Sequence, residues 1–313
     1  MRTWRALALA LTVLAGAYWL ALPDLPAAPL GTPLPAAARL NAGQATGPIA
    51  HAYRGRCLEG GTGTRCRAWH LVAADGRRWW LPDGSDRGDA LALGRQLVAH
   101  LLTDRDQVTV MDVRTGATRS FPCRGACSSI SMSRDDRHVA VEVEKGLVIH
   151  ETATGRVTGT ATEGTPAGWT DAGLALTRTR PSDTAPGHLS SAELVEISPA
   201  GTTLTRRPIP ANLANGPAVS PDGRTLAVAS PSGVSLVDAA TGEVTRTLAV
   251  PAAERVLGWR DGGHVLVATA RPPGGFGSLT AYHVLDVAGG GLRPLTADDR
   301  DADEGTFVLG VSD

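Results

Sequence analysis

Apolar residues follow two regimes along this chain. Ala6–Leu22 is an uninterrupted run of 17 uncharged, mostly apolar positions, with Arg2 and Arg5 before it and Asp24 just after it. From about residue 48 onward the apolar positions come instead in short, β-branched, partly alternating segments such as Gln107–Val113, Val139–Val143, Thr225–Ala229 and Val265–Ala270. These segments are separated by Gly-, Asp- and Thr-rich turns, and none carries a helical period.

The first regime reads as an export element. A spanning helix takes about 20 apolar residues, with about 17 the lower bound, and a secretory core takes about 7–15. Residues 1–22 are therefore expected to be a signal peptide or a membrane anchor. The leading arginines keep the start of the chain in the cytoplasm while the rest crosses. No cysteine follows the run, which excludes a lipid-modified N-terminal cysteine. Pro23, Pro26, Pro29, Pro33 and Pro35 break any helical continuation, so residues 23–47 are expected to form a flexible linker.

The second regime is an internal repeat. SPDGRTLAVASPSGVSLVDAATGEVTRTLAV (Ser220 to Val250) aligns with SRDDRHVAVEVEKGLVIHETATGRVTGT (Ser133 to Thr160), with Asp135 and Asp222, and Gly155 and Gly242, each 87 residues apart. Partial copies are WRDGGHVLVATA (Trp259 to Ala270) and VMDVRTGATRSF (Val110 to Phe121). Each unit reads as a strand, an Asp-Gly-type turn, two further strands, a Thr-Gly turn and a last strand. Gly76, Gly116, Gly155, Gly201, Gly242 and Gly290 mark the second turn at spacings of 40, 39, 46, 41 and 48 residues. A tight turn there demands a positive φ. Four strands in each of six such units predict a six-bladed β-propeller over residues 48–313. A plain β-sandwich would not explain the register. The last strand, within Thr306–Ser312, has no following partner strands, and the first unit, with strands near Ile49–Arg54, Arg67–Ala73 and Arg78–Leu81, lacks an inner one. The C-terminal strand is expected to complete the first blade and so remove an exposed edge.

The segments SPDGRTLAV and DAATG resemble the WD40-like propeller repeats of exported bacterial proteins, of the kind in the C-terminal domain of the periplasmic TolB family. The resemblance spans roughly Pro48 to Asp313 and implies the blade, not the activity. The eukaryotic-type Gly-His and Trp-Asp signatures are not evident, and no TolB-type α/β domain precedes the repeats, so a TolB role is not implied.

Charge narrows the function. The 31 acidic and 30 basic residues nearly cancel, to a net charge of −1, which argues against a generic nucleic-acid binder. Lys145 is the only lysine. Six arginines (Arg54, Arg56, Arg65, Arg67, Arg77 and Arg78) outnumber Glu59 and Asp75, whereas DDRDADE (Asp298 to Glu304) has five acids and one arginine. In the closed ring both segments fall on the first blade, where their attraction would guide closure across the seam. Contact of the arginines with anionic lipid is the alternative. The acidic run lacks the spaced ligands of an EF-hand loop. The four cysteines are expected to pair locally, Cys57 with Cys66 and Cys123 with Cys127, as disulfides of an oxidising compartment, since their spacing fits no common zinc pattern.

Catalytic chemistry is thin. No G-x-S-x-G, H-E-x-x-H, Walker loop or dinucleotide-binding glycine motif occurs. His138 and His264 share one repeat position, held by Thr225 in another blade, and would meet only if blades three units apart converge in the channel. The D-x-x-T-G turns at Asp112–Gly116 and Asp238–Gly242 are similar to quinoprotein docking turns, but Arg119 and Thr245 stand where those carry Trp. The turn aspartates are thus expected to cap backbone amides. Trp169 and Trp259, two residues before Asp171 and Asp261, suit inter-blade packing or an aromatic platform for a partner. Taken together, the sequence reads as a non-catalytic extracytoplasmic propeller, anchored in the cell membrane or secreted. It would bind a protein, peptide or envelope component through its loop faces, with Trp169, Trp259, Arg54, Arg56, Arg65 and Arg67 as interaction candidates. It calls for no cofactor, metal or nucleic acid. A propeller-class hydrolase or lyase using channel-lining residues is the alternative.

Overall fold

The β-rich repeats fold into six antiparallel sheets in a computed structural model, which describes residues 38–39, 48–57, 68–73, 76–81, 90–102, 105–181, 189–211, 216–270, 280–295 and 302–310. The expected signal or anchor (1–22) and nearly all of the expected linker lie outside the described residues. The chain divides into two units, residues 1–33 and residues 34–313, and every described element belongs to the second. There is no α-helix among the described residues.

Blade 1 holds β1 (Ala38–Arg39), β2 (Ile49–Cys57), β3 (Trp69–Ala73) and β4 (Arg78–Trp80). Blade 2 holds β5 (Leu91–Leu93), β6 (Leu97–Leu102), β7 (Gln107–Asp112) and β8 (Thr118–Pro122). Blade 3 holds β9 (Cys127–Met132), β10 (His138–Val143), β11 (Gly146–Glu151) and β12 (Val157–Ala161). Blade 4 holds β13 (Thr165–Trp169), β14 (Leu174–Pro181), β15 (Leu189–Ile197) and β16 (Thr203–Ile209). Blade 5 holds β17 (Ala218–Val219), β18 (Thr225–Ser230), β19 (Gly233–Asp238) and β20 (Val244–Leu248). Blade 6 holds β21 (Ala253–Trp259), β22 (His264–Ala270), β23 (Thr280–Asp286) and β24 (Leu292–Leu295), and β25 (Ala302–Leu309) returns to blade 1. The innermost strands contact one another in cyclic order, β25 to β5, β9, β13, β17, β21 and back to β25. This is the expected six-bladed propeller. Within the span expected as linker, β1 instead lies parallel to β4, with Ala38 opposite Trp79, as a fifth strand of blade 1.

Burial explains why the middle strands read as nearly continuous apolar runs. Each sheet is covered on both faces by its neighbours, so the two side-chain sets of a strand feed two different cores. On β18, Leu226 and Val228 pack toward blade 4, whereas Ala227 packs toward blade 6. On β22, Val265 and Val267 face blade 5, while Leu266 and Ala268 join Tyr53, Val72 and Tyr282 between blades 6 and 1. Six such clusters occur, one for each junction of the ring. Outer strands have one wet face. VTRTL of β20 is exposed at its first four positions, which is why Thr and Arg are tolerated there.

The ring closes as expected. β25 pairs antiparallel with β2 from His51 opposite Leu309 to Cys57 opposite Ala302, and the Gly310 amide extends the ladder to the Ala50 carbonyl at 3.0 Å. The register sets Arg56 opposite Asp303 and Gly55 opposite Glu304, which brings the arginine-rich and acidic segments to one seam. Opposite-charge cross-strand pairs contribute roughly 0.2–1 kcal/mol each. Replacing Asp303→Asn together with Glu304→Gln is therefore expected to lower the melting temperature by a few degrees. The deficit should shrink in about 1 M salt as screening weakens the wild-type pairs. Equal melting curves for the two proteins at low salt would show that the seam charges play no part in closure.

Candidate functional site

Strand polarity sorts the connections onto two faces. On one, here the turn face, eleven connections of three to five residues join the first to the second strand and the third to the fourth of the blades. On the other, the loop face, connections range from two residues, as between β10 and β11, to eleven, residues 58–68 between β2 and β3.

The turn face is built by repeated side-chain caps. In blade 3, Ser133 Oγ donates to Asp135 Oδ1 (2.7 Å), the Arg137 amide donates to the same oxygen (3.1 Å), and the His138 amide donates to Ser133 Oγ (2.9 Å). Blade 5 repeats this with Ser220, Asp222, Arg224 and Thr225 at 2.6, 3.0 and 2.9 Å. The Ser220 hydroxyl holds the Asp222 carboxyl below the usual range. For Asp135, burial pushes the other way, but the Ser133 and Arg137 donors outweigh it and the carboxyl again lies low. At the second turn, Asp112 Oδ1 accepts the Arg114 and Thr115 amides (2.8 and 3.0 Å), and Asp238 Oδ1 accepts those of Ala240 and Thr241 (both 2.8 Å). The glycine that closes this turn has a φ of 72–84° in all six blades, as its spacing implied.

One departure from the repeat joins two blades. Asp136 stands where blade 5 has Gly223 and takes the same left-handed conformation, φ 62° against 72°. Its carboxylate reaches blade 2 and accepts the Arg95 and Gln96 amides at 2.7 and 2.8 Å. Burial nevertheless raises its pKa, outweighing these donors. Gly94 makes room, because a Cβ there would lie 1.7 Å from Asp136 Oδ1.

Across the axis, Arg134 Nη1 of blade 3 donates to the Arg260 carbonyl of blade 6 at 3.4 Å. Two depressions flank this bridge. One, of about 210 Å3, lies among blades 2, 3 and 4 and includes Arg95, Arg134, Asp135 and His138. The other, of about 590 Å3, lies on blade 6 and includes Arg260, Asp261, His264, Asp286 and Arg293. His264 Nδ1 lies 2.9 and 3.0 Å from the two Asp261 oxygens, whereas His138 lies beside Trp169 with ring centroids 6.4 Å apart. The two histidines that share a repeat position thus have separate partners in separate depressions. Among the described residues no group of three or more His, Cys, Asp or Glu is placed to hold a metal ion. From blade 1, His51 lies close to Arg260 and Arg293; burial first, then these two cations, push its pKa down to about 4.

The interaction candidates are distributed differently. Trp169 is 7% exposed and donates its indole N–H to Ser131 Oγ of blade 3 at 3.2 Å. Trp259 donates to the Ala218 carbonyl of blade 5 at 2.9 Å. Both indoles latch adjacent blades, the inter-blade packing that was one of the two readings, and the burial of Trp169 leaves it no open platform. Arg54 is half-buried on β2, opposite Trp69 and Thr306. Arg56 lies at the seam, while Arg65, Arg67 and Cys66, and with Cys66 the expected Cys57–Cys66 pair, lie outside the described residues. Arg78, one of the six arginines of the basic segment, is instead buried: it is 6% exposed and donates to Tyr53 Oη at 3.2 Å, and Tyr53 stacks on His70. The Cys123–Cys127 disulfide is formed, on the loop face between β8 and β9. Sequence reasoning passed over Arg134 and Arg260. The available signal was their equivalent place, immediately before the turn aspartates in SRD and WRD, on blades opposite each other in a ring of six.

Two outcomes follow from this geometry. Gly94→Ala forces a methyl against the Asp136 carboxylate and is expected to destabilise the fold by roughly 1–3 kcal/mol in urea unfolding. Adding Asp136→Gly should recover part of that loss. For His51, the folded pKa lies below the unfolded one, so its contribution is intact above about pH 6.5 and is lost as the pH falls toward 4. The loss is of the order of 3 kcal/mol at most. His51→Asn should flatten the stability profile between pH 6.5 and 4, measured by urea titration at each pH.

No protein-family model and no curated protein sequence matches the chain. Among solved structures, a putative TolB from Agrobacterium tumefaciens is similar at 16% identity and a TM-score of 0.51, over 85% of this chain and 94% of that one. Hydrazine synthase of Kuenenia stuttgartiensis is similar at 16% identity and a TM-score of 0.47, over 70% of this chain and 69% of that one. A chain of the mitotic checkpoint complex is similar at 16% identity and a TM-score of 0.43, over 65% and 63%. At 16% identity the likeness to the TolB structure extends to the β-propeller fold alone.

Proposed function

We propose that this protein is a non-catalytic, extracytoplasmic binding propeller that docks a protein, a peptide or a cell-envelope component through its loop face. The observation that carries this reading is the asymmetry of the two faces. The turn face is held to three to five residues in every connection by caps and glycines, while the loop face admits connections of up to eleven. A rigid ring that concentrates variation in length on one side suits surface display. A partner of ordinary size would cover roughly 800 Å2 there. The TolB-like fold is compatible with such a role. The Cys123–Cys127 disulfide and the Ala6–Leu22 run support an oxidising compartment reached by export, with the chain anchored by its N-terminal segment or released.

A hydrolase or lyase reading has one observation in its favour, the His264–Asp261 pair, in which a carboxylate orients an imidazole at the edge of a depression. The described residues lining that depression include no Ser, Thr or Cys to serve as a nucleophile.

The test is crosslinking in the native envelope followed by capture of the full chain. One stoichiometric partner is expected. Its capture should fail when residues 182–188 and 271–279 are replaced by short Gly/Ser connections, and persist when Arg114→Gln alters the turn face. Capture unaffected by both loop replacements, or no stoichiometric partner at all, would overturn the reading.

A further inference from the structure

We propose that the depression on the turn face of blade 6 is an oxyanion site, in which Arg260 and Arg293 hold the phosphate or carboxylate end of an organic ligand. The proposal stands apart from the loop-face reading, because it concerns the opposite side of the ring.

The charges of the depression are unequally committed. Asp261 accepts the Gly263 amide at 2.7 Å, and both of its oxygens face His264 Nδ1. Asp286 Oδ1 accepts the Ala288 amide at 2.8 Å, and the Gly289 and Ala288 amides hold its carboxyl below the usual range. Both acids are therefore occupied by the turns that carry them. Neither the Arg260 nor the Arg293 guanidinium has an ion-pair or hydrogen-bond partner among the described residues, so the donors left to meet a ligand are the N–H groups of these two cations, although the lining holds two carboxylates as well. The two arginines come from different strand connections, one following β21 and one on β24, yet both line this depression and both depress the pKa of His51 in blade 1. The lining places both arginines in one depression, and their field extends to His51 beside it. The Arg134 bond to the Arg260 carbonyl fixes the backbone from which one guanidinium extends.

Chemistry and size then select the ligand class. A planar guanidinium meets carboxylate or phosphate oxygens through paired N–H donors, and two of them suit a dianion best. A volume of about 590 Å3 exceeds what a bare phosphate fills, and buried Val284 and half-buried Leu292 supply apolar wall for an organic body. Bound anion would also offset the field of both arginines at His51, so occupancy and His51 protonation are linked.

The test titrates the full chain with inorganic phosphate and, separately, with acetate, following heat by calorimetry and the His51 imidazole by NMR. Saturable binding is expected, with a rise in the His51 pKa on occupancy. Arg293→Gln and Arg260→Gln should each weaken binding at least about tenfold. Arg293→Lys should retain part of it, and Arg114→Gln on blade 2 should bind as wild type. Tighter binding of phosphate would assign a phosphate group, and equal or tighter binding of acetate a carboxylate. Because Arg293 is exposed, Arg293→Gln keeps the test valid even if Arg260→Gln fails to fold. No saturable binding of either anion, wild-type affinity in Arg293→Gln, or an equal loss in Arg114→Gln would overturn the proposal.

Discussion

Every sheet in this protein has two apolar faces, and that constraint governs the rest. A strand such as β18 sends Leu226 and Val228 to one side and Ala227 to the other, so its sheet is stable only between two others. A linear stack would leave the first and last sheets half uncovered. Bending the stack into a ring of six covers both, and the pairing of β25 with β2 turns the first and last units of the sequence into neighbours. Tyr53, Val72, Leu266, Ala268 and Tyr282, the core between blades 6 and 1, exist as a cluster only because the ring closes. Burial of the larger of these side chains contributes roughly 1.5–3 kcal/mol each, far more than an exposed charge pair can.

Within that frame, the repeat supplies scaffolding and its exceptions supply individuality. The Ser–Asp caps of blades 3 and 5 are superimposable in their bonding because the sequence repeats at 87 residues. Asp136 breaks the pattern at the place of Gly223 and in doing so ties blade 3 to blade 2. Thr170 replaces the capping serine in blade 4 and accepts the Ala172 and Gly173 amides instead. Arg134 and Arg260, equivalent in their own blades, meet across the axis because a half-turn of a six-membered ring separates them. Chemistry that one blade cannot assemble is thus assembled by the ring.

The histidines illustrate how the same frame sets protonation. His150 is buried between its Gly155 carbonyl partner and Phe121, and burial lowers its pKa despite that hydrogen bond. His51 is pushed down to about 4, by burial first and then by Arg260 and Arg293. His264 keeps an exposed edge and a carboxylate partner. Three rings of one residue type are thereby placed in three electrostatic settings by their positions in the blades.

Local sequence determined the strands, the turns and the number of blades. Alternation of apolar residues specifies a strand without reference to distant partners, and Gly76, Gly116, Gly155, Gly201, Gly242 and Gly290 mark positions where only a positive φ closes the turn. Even the identity of the closing strand was legible, since the first unit lacks a strand that the end of the chain supplies. What tertiary structure alone decided is which side chains meet. Trp169 suited packing or a platform, and only the structure shows the blade 3 partner that its indole reaches; Arg78 was one of a basic cluster, and only the structure shows that it is buried against Tyr53. Arg260 and Arg293 line one depression and act on His51 of the next blade only because whole sheets pack side by side, which no single stretch of the chain carries.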